Sequence, residues 1–316
     1  MGDLIITLPY LQDLRNKLPA DIEIDLLTRK EVDSIPKNLK LFNKIYSISG
    51  KRNFKKQFIY TCFLLPVLSL RRYDIVIDLQ DNLLSKMARR SIMPKAWSIF
   101  EKFAPISAGE KYKIAIENIG LTKIDIAHNF VFKQNLDVEK ILKENGWSEE
   151  CDLIIINPAG AFETRNWSLE NYVAFMQLFL QKFPLTQFLI IGVESIKSKA
   201  DYFKNIFQEK LINLVNKTTA AQAFAIIQKV KFVLSEDSGL MHMAWVSGIP
   251  TLVFFGSTRS DWSRPLGEHS LLLDSSDLPC GNCLLEFCKY GDVHCLTRYS
   301  PEFVFEKALQ LLKPDN

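Results

Sequence analysis

The chain has 316 residues, of which 47% are hydrophobic and 24% charged, with a net charge of +3; these values exclude a disordered chain and allow two domains, each burying its own core. The longest apolar run, residues 58–70 (FIYTCFLLPVLSL), carries Pro66 and falls well short of the roughly 20 residues that cross a bilayer. The opening stretch MGDLIITLPYLQDLRNKLP holds Asp3 and Pro9 and lacks the basic start and cleavage site of a signal peptide, which predicts a cytoplasmic protein.

In chain order, Gly2-Asp3 and Thr7-Leu8-Pro9 read as a loop that leads into a helix over residues 8–17. A doubly wound domain places a strand before such a loop, so a short β-branched strand is expected in frame upstream of Met1, at the centre of the first sheet. Six apolar runs follow, each trailed by an amphipathic segment: IEIDLLT (22–28), YDIVIDLQ (73–80), CDLIIINPAG (151–160), TQFLIIGV (186–193), VKFVLSE (230–236) and IPTLVFFG (249–256). Continuous apolar strands alternating with helices predict an α/β chain with parallel sheets covered on both faces. The pattern divides into two Rossmann-like halves, residues 1–145 and 146–316, joined near the polar stretch VEKILKENGWSEE. Residues 300–313 read as a closing helix, with Ser300 as N-cap and Pro301 in the first turn; this helix is a candidate to pack back on the first half.

Charge is unevenly placed. Residues 29–102 hold 16 Lys and Arg against 6 Asp and Glu, a net of +10, which leaves −7 for the rest. With Lys55, Lys56, Arg71, Arg72, Arg89 and Arg90 near Phe54, Phe58 and Phe63, this half suits an anionic membrane or an acidic lipid, and its charge alone would also suit nucleic acid. A solvated basic face is the plainer alternative.

Two constellations carry chemistry. In SEDSGLMHMAWVSGIPTLVFFG (235–256) a strand runs into Asp237-Ser238-Gly239 and a helix that carries Leu240 and His242. Unpaired N–H groups at such a helix start, with the positive end of the dipole, hold phosphate oxygens, and His242 one turn on can reach the same phosphate or a sugar hydroxyl. In INPAGAFETRNWSLENYVAF (156–175), Arg165 offers a fork of donors to a diphosphate. The plainer roles are a helix cap for Asp237 and Ser238, a core histidine for His242 and a surface ion pair for Arg165. Four of the six cysteines, Cys280, Cys283, Cys288 and Cys295, cluster as C-x2-C-x4-C-x6-C, a spacing that reads as a structural zinc tetrathiolate or as a reduced knot.

Taken together, Gly2-Asp3 with Thr7 and Pro9, YDIVIDLQDN, N-P-A-G…T-R-N-W, I-I-G-V-E (190–194), D-S-G-L-M-H (237–242), G-I-P (248–250), F-F-G-S-T (254–258) and the four-cysteine insert resemble glycosyltransferase family 9, the ADP-heptose:lipopolysaccharide heptosyltransferases. The resemblance implies a GT-B fold of two facing Rossmann-like domains, with the nucleotide-sugar site in the second and the acceptor site in the first. It implies an inverting, metal-independent transfer of heptose from ADP-heptose to a lipopolysaccharide core or lipid A acceptor, with peripheral contact at the inner membrane and no nucleic-acid partner. By the same resemblance Asp3, with Gly2 beside it, is the general base; Arg165, Ser238, Gly239 and Leu240 hold the phosphates; Asp237 and His242 place the sugar or phosphate. Glu194 would take ribose hydroxyls, and Lys217 and Thr218 would line the base pocket. Arg165 stands where a lysine is usual. Rival readings are a hexose or N-acetylhexosamine donor, a nucleotide-sugar-binding protein without catalysis, and an epimerase of the same architecture.

Overall fold

The computed structural model describes residues 2–312; Met1 and residues 313–316, including the expected end of the closing helix at Lys313, lie outside the described residues. Contacts gather the described residues into two compact units, one over residues 3–134 and one from residue 135 onward.

In the first unit the chain begins with a helix, Gly2–Lys17, that buries Ile5 through Leu14. The expected loop over Gly2 to Thr7 is therefore helical. The helix buries Ile5 fully and Ile6 nearly so, and it places Asp3 in its first turn, where a carboxylate favours the helix dipole. Four parallel strands follow, β1 (Asp25–Arg29), β2 (Lys44–Ile48), β3 (Ile75–Asp78) and β4 (Ala96–Ile99). They form two separate pairs, β1 with β2 and β3 with β4. Leu26 and Leu27 of β1 and Ile75, Val76 and Ile77 of β3 line one cavity of about 210 Å³ between the pairs.

The second unit has one six-stranded parallel sheet in the order β10-β9-β8-β5-β6-β7. Its strands are β5 (Asp152–Asn157), β6 (Thr186–Gly192), β7 (Leu211–Val215), β8 (Phe232–Glu236), β9 (Thr251–Phe254) and β10 (Ser270–Leu273). From β5 the chain winds outward through β6 and β7, then crosses to the other side through β8, β9 and β10, so the strand order reverses between β5 and β8. Trp167 anchors the core: its ring stacks on Phe254 at 4.8 Å, and its Nε1 donates to the Tyr299 carbonyl at 3.0 Å. The closing helix, Pro301–Leu312, starts at Ser300, whose Oγ accepts from the Phe303 N–H at 3.2 Å. It packs within this unit, with Phe305 against Phe175 of the Leu169–Lys182 helix.

Candidate functional site

In an open parallel sheet, loops at the carboxyl ends of the strands diverge where the strand order reverses, and ligands enter the crevice they leave. In the second unit that point lies between β5 and β8, and both constellations fall there. Asn157 ends β5 and is buried; its Nδ2 donates to Ser235 Oγ and Ser238 Oγ, both at 2.7 Å. Ser238 caps the Gly239–Val246 helix by accepting from the Met241 N–H at 3.3 Å. The Gly239 and Leu240 N–H groups are the outermost donors of that helix end, and a side chain added at Gly239 would meet nothing within 4 Å. The helix start therefore faces open space, as an anion site requires.

Arg165 closes the other side. A single guanidinium nitrogen donates to the Asp237 carbonyl at 2.9 Å and to Asp237 Oδ2 at 2.6 Å, with both side chains largely shielded from solvent. The sequence places Arg165 on phosphate and Asp237 on sugar; the structure joins them as one unit. His242 is buried, and its Nδ1 accepts from Trp245 Nε1 at 3.3 Å, an arrangement in which the neutral ring carries its proton on Nε2.

Beneath these groups lies a residue the sequence reading passed over. Glu236, fully buried at the end of β8, accepts from the Trp167 N–H at 2.8 Å and from the Gly160 N–H. Gly160 has no alternative here, since a Cβ would sit 2.2 Å from the Arg165 carbonyl oxygen and 2.8 Å from Glu236 Oε2. Burial pushes the Glu236 carboxyl up to about 7, against the opposing charge of Lys199. Lys199, pulled down by its own burial, donates to the Pro158 carbonyl at 2.8 Å and to Asn166 Oδ1. Glu236 thus ties the loop after β5 to the end of β8, and Lys199 ties the same loop to the Lys197–Phe207 helix. Glu236 stands inside the D-S-G motif segment and was readable there; nothing in the local sequence marks Lys199.

Glu194 follows β6 and accepts from Asn216 Nδ2 after β7. Lys217, exposed beside it, donates to Asn145 Oδ1 at 2.7 Å, and Thr218 is next in the chain. At about 4.8 Å per strand, the β7 end lies roughly 14 Å across the sheet from β8, so Lys217 and Thr218, after β7, and Glu194, tied to Asn216, stand apart from the Arg165–Asp237 cluster.

Among the described residues no three His, Cys, Asp or Glu side chains converge as ligands for a metal ion. The four clustered cysteines are free thiols; Cys295 is pushed up to about 11 by burial and then by the nearby Cys288, Cys283 and Cys280. The donor set is gathered but does not fit a tetrathiolate as placed. The segment does serve the site's walls: Thr164 Oγ1 hydrogen-bonds Ser257 Oγ and the Leu285 carbonyl, and the Leu284 N–H donates to the Ser257 carbonyl at 2.8 Å.

In the first unit Asp3 is exposed and lines a cavity of about 180 Å³ at the carboxyl ends of β1 and β3, with Thr7, Thr28, Arg29, Gln80 and Asn82 among its neighbours. Its charge also acts on the buried Tyr112 hydroxyl, which burial and then Asp3 raise well above the ordinary tyrosine range.

The chain is 28% identical over 165 residues to lipooligosaccharide heptosyltransferase 2 of Campylobacter jejuni, a match covering 50% of each protein; the chain spans about half the length of the first curated relatives it matches. Among solved structures it is similar to a family 9 glycosyl transferase from Veillonella parvula, with a TM-score of 0.78 at 18% identity, covering 98% of this chain and 94% of the other. It is also similar to an E. coli heptosyltransferase holding ADP-2-deoxy-2-fluoro heptose, with a TM-score of 0.69 at 15% identity over 98% and 96% of the two chains. At these identities the structural likeness establishes the GT-B type of fold. The sequence model for glycosyltransferase family 9 (heptosyltransferase) matches residues 66–294, most of the chain, and the protein belongs to that family.

Proposed function

We propose that the protein transfers a heptose from ADP-heptose to a lipopolysaccharide core or lipid A acceptor, with inversion at the anomeric carbon and without a required metal ion. The observation that carries this reading is the crevice between β5 and β8, where Arg165, Asp237 and the amino end of the Gly239–Val246 helix meet in a chain of this family. In this reading the Gly239 and Leu240 N–H groups and Arg165 bind the diphosphate and take up the negative charge that grows on it as its bond to the sugar breaks. Asp237, held by Arg165, and His242 position the sugar. Glu194, Lys217 and Thr218 serve the nucleoside, and Asp3, with Gly2 keeping its surroundings small, accepts the proton of the acceptor hydroxyl as its oxygen attacks the anomeric carbon. The glycosidic bond forms as the sugar–phosphate bond breaks, the proton goes to the Asp3 carboxylate, and ADP leaves. Residues 1–145 then serve the acceptor and 146–316 the donor, at the inner face of the cytoplasmic membrane.

Asp3→Asn tests this. Asparagine preserves size and most capping ability but accepts no proton near neutral pH. Turnover of ADP-heptose with a soluble truncated acceptor is expected to fall by about 100-fold or more, with donor affinity and melting temperature unchanged. Near-normal turnover would reduce Asp3 to a helix cap.

A further inference from the structure

The Phe54–Leu70 helix is apolar on almost every side (FKKQFIYTCFLLPVLSL), yet it fully buries only Thr61 and Leu68. Ile59, Phe63, Val67 and Leu70, spaced at 4, 4 and 3 residues, are 54%, 76%, 46% and 83% exposed. That spacing places them on one stripe of the helix. Residues 51–72 contain six Lys and Arg and no Asp or Glu, with the bases gathered at the two ends: Lys51, Arg52, Lys55 and Lys56 before the stripe, Arg71 and Arg72 after it.

A second element extends the stripe. Ser69 Oγ lies 2.6 Å from Ser91 Oγ and donates to the Ser91 carbonyl at 2.8 Å. These bonds join the carboxyl end of the Phe54–Leu70 helix to that of the Leu83–Ile92 helix. Arg89 and Arg90 lie in the last turn of that helix and Met93 and Trp97 follow it, with Met93 82% and Trp97 52% exposed and the Arg89 guanidinium 3.9 Å from the Trp97 ring.

We infer that this surface, the stripe Ile59, Phe63, Val67 and Leu70 continued by Met93 and Trp97 and bracketed by basic residues, is a docking face for an anionic lipid bilayer, on which the helix lies in the plane of the interface. The charge pattern selects this occupant. A bilayer presents phosphates at one depth and acyl chains just below, and a ridge of large apolar side chains flanked at both ends by Lys and Arg meets both layers together. Trp97 beside Arg89 suits the boundary between them. Among the described residues no helix is long and apolar enough to cross a membrane, so this face lies on the bilayer. The inference rests on the proposed function only in the choice of membrane; the surface itself is independent of it.

The test uses the full chain and sedimentation with mixed phosphatidylglycerol–phosphatidylcholine vesicles, compared with pure phosphatidylcholine. The wild type is expected to bind the mixed vesicles, less so as salt rises. Two double variants, Phe63→Asp with Leu70→Asp and Arg72→Glu with Arg90→Glu, are each expected to lose about tenfold or more in partition, while melting temperature and turnover of a soluble truncated acceptor stay at wild-type values. Arg71 is left in place because it faces Glu23 at 4.0 Å. Equal binding to both kinds of vesicle, or variants that bind as the wild type does, would overturn the docking face. Absence of turnover by the wild type on the soluble acceptor would count against the transferase reading and leave the vesicle result standing.

Discussion

The two units use the same kind of strand to opposite effect. In the second, β5 and β8 pair with neighbours on both sides, and their residues are buried almost throughout. In the first, β1 and β3 each pair on one side only, and their residues are mostly half-exposed around a cavity. Backbone groups on the open sides of β1 and β3 must be met by water, which a space of about 210 Å³ admits. Parallel strands covered on both faces are well enclosed, and the buried Asn157 and Glu236 stand at the ends of the two central strands of such a sheet. The first unit keeps its apolar side chains nearer the surface, from the cavity to the exposed stripe of its Phe54–Leu70 helix.

The comparison can be broken most directly in the cores. Phe254→Ala, at a fully enclosed position that stacks on Trp167, is expected to cost about 3–5 kcal/mol. Ile77→Ala, half-exposed on the cavity wall, should cost no more than about 2 kcal/mol, since its site is already loose. Denaturant unfolding of both variants measures the two values, and equal losses would erase the distinction between the sheets.

A second test sharpens the role of buried charge in the second unit. Burial raises Glu236 from its ordinary 4.5 to about 7. The folded state therefore binds this proton more tightly than the unfolded state does. That contribution is fully present below about pH 4.5 and is lost as pH rises through about 7, for roughly 3 kcal/mol. Glu236→Gln should remove this fall from the stability curve measured between pH 4.5 and 7.5, whatever it does to absolute stability. A variant with the same pH slope as the wild type would mean that the carboxyl is already ionised in the fold.

The smallest effect is expected at the crevice rim. Arg165→Ala should weaken binding of the nucleotide-diphosphate sugar by about tenfold or more, in line with the roughly 1.5–3 kcal/mol of a hydrogen bond to a charged group, and Arg165→Lys should recover part of it. Calorimetric titration measures both. Unchanged affinity would leave Arg165 as the structural partner of Asp237 alone.

Much of this architecture was legible in the residues. All six apolar runs contain strands, the D-S-G segment forms the predicted strand, cap and helix, and Ser300 caps the closing helix. The strands that escaped notice are β2, β4, β7 and β10, each with a neighbour on one side only. Their sequences, KIYSI, AWSI, LINLV and SLLL, are short, and in the first three a polar residue breaks the apolar run. The four-cysteine segment was legible as a cluster; its ties to Thr164 and Ser257 were not.

The sequence by itself determined what depends on neighbours along the chain: periodicity, caps, the apolar character of central strands and the family motifs. Only the tertiary structure decided what depends on distant groups. It wound residues 2–7 into a helix to bury Ile5 and Ile6, kept β1 and β3 apart, joined Arg165 to Asp237, and buried Glu236 beside Lys199. Burial and pairing are set by what the rest of the chain brings against a residue, and no local window contains that information.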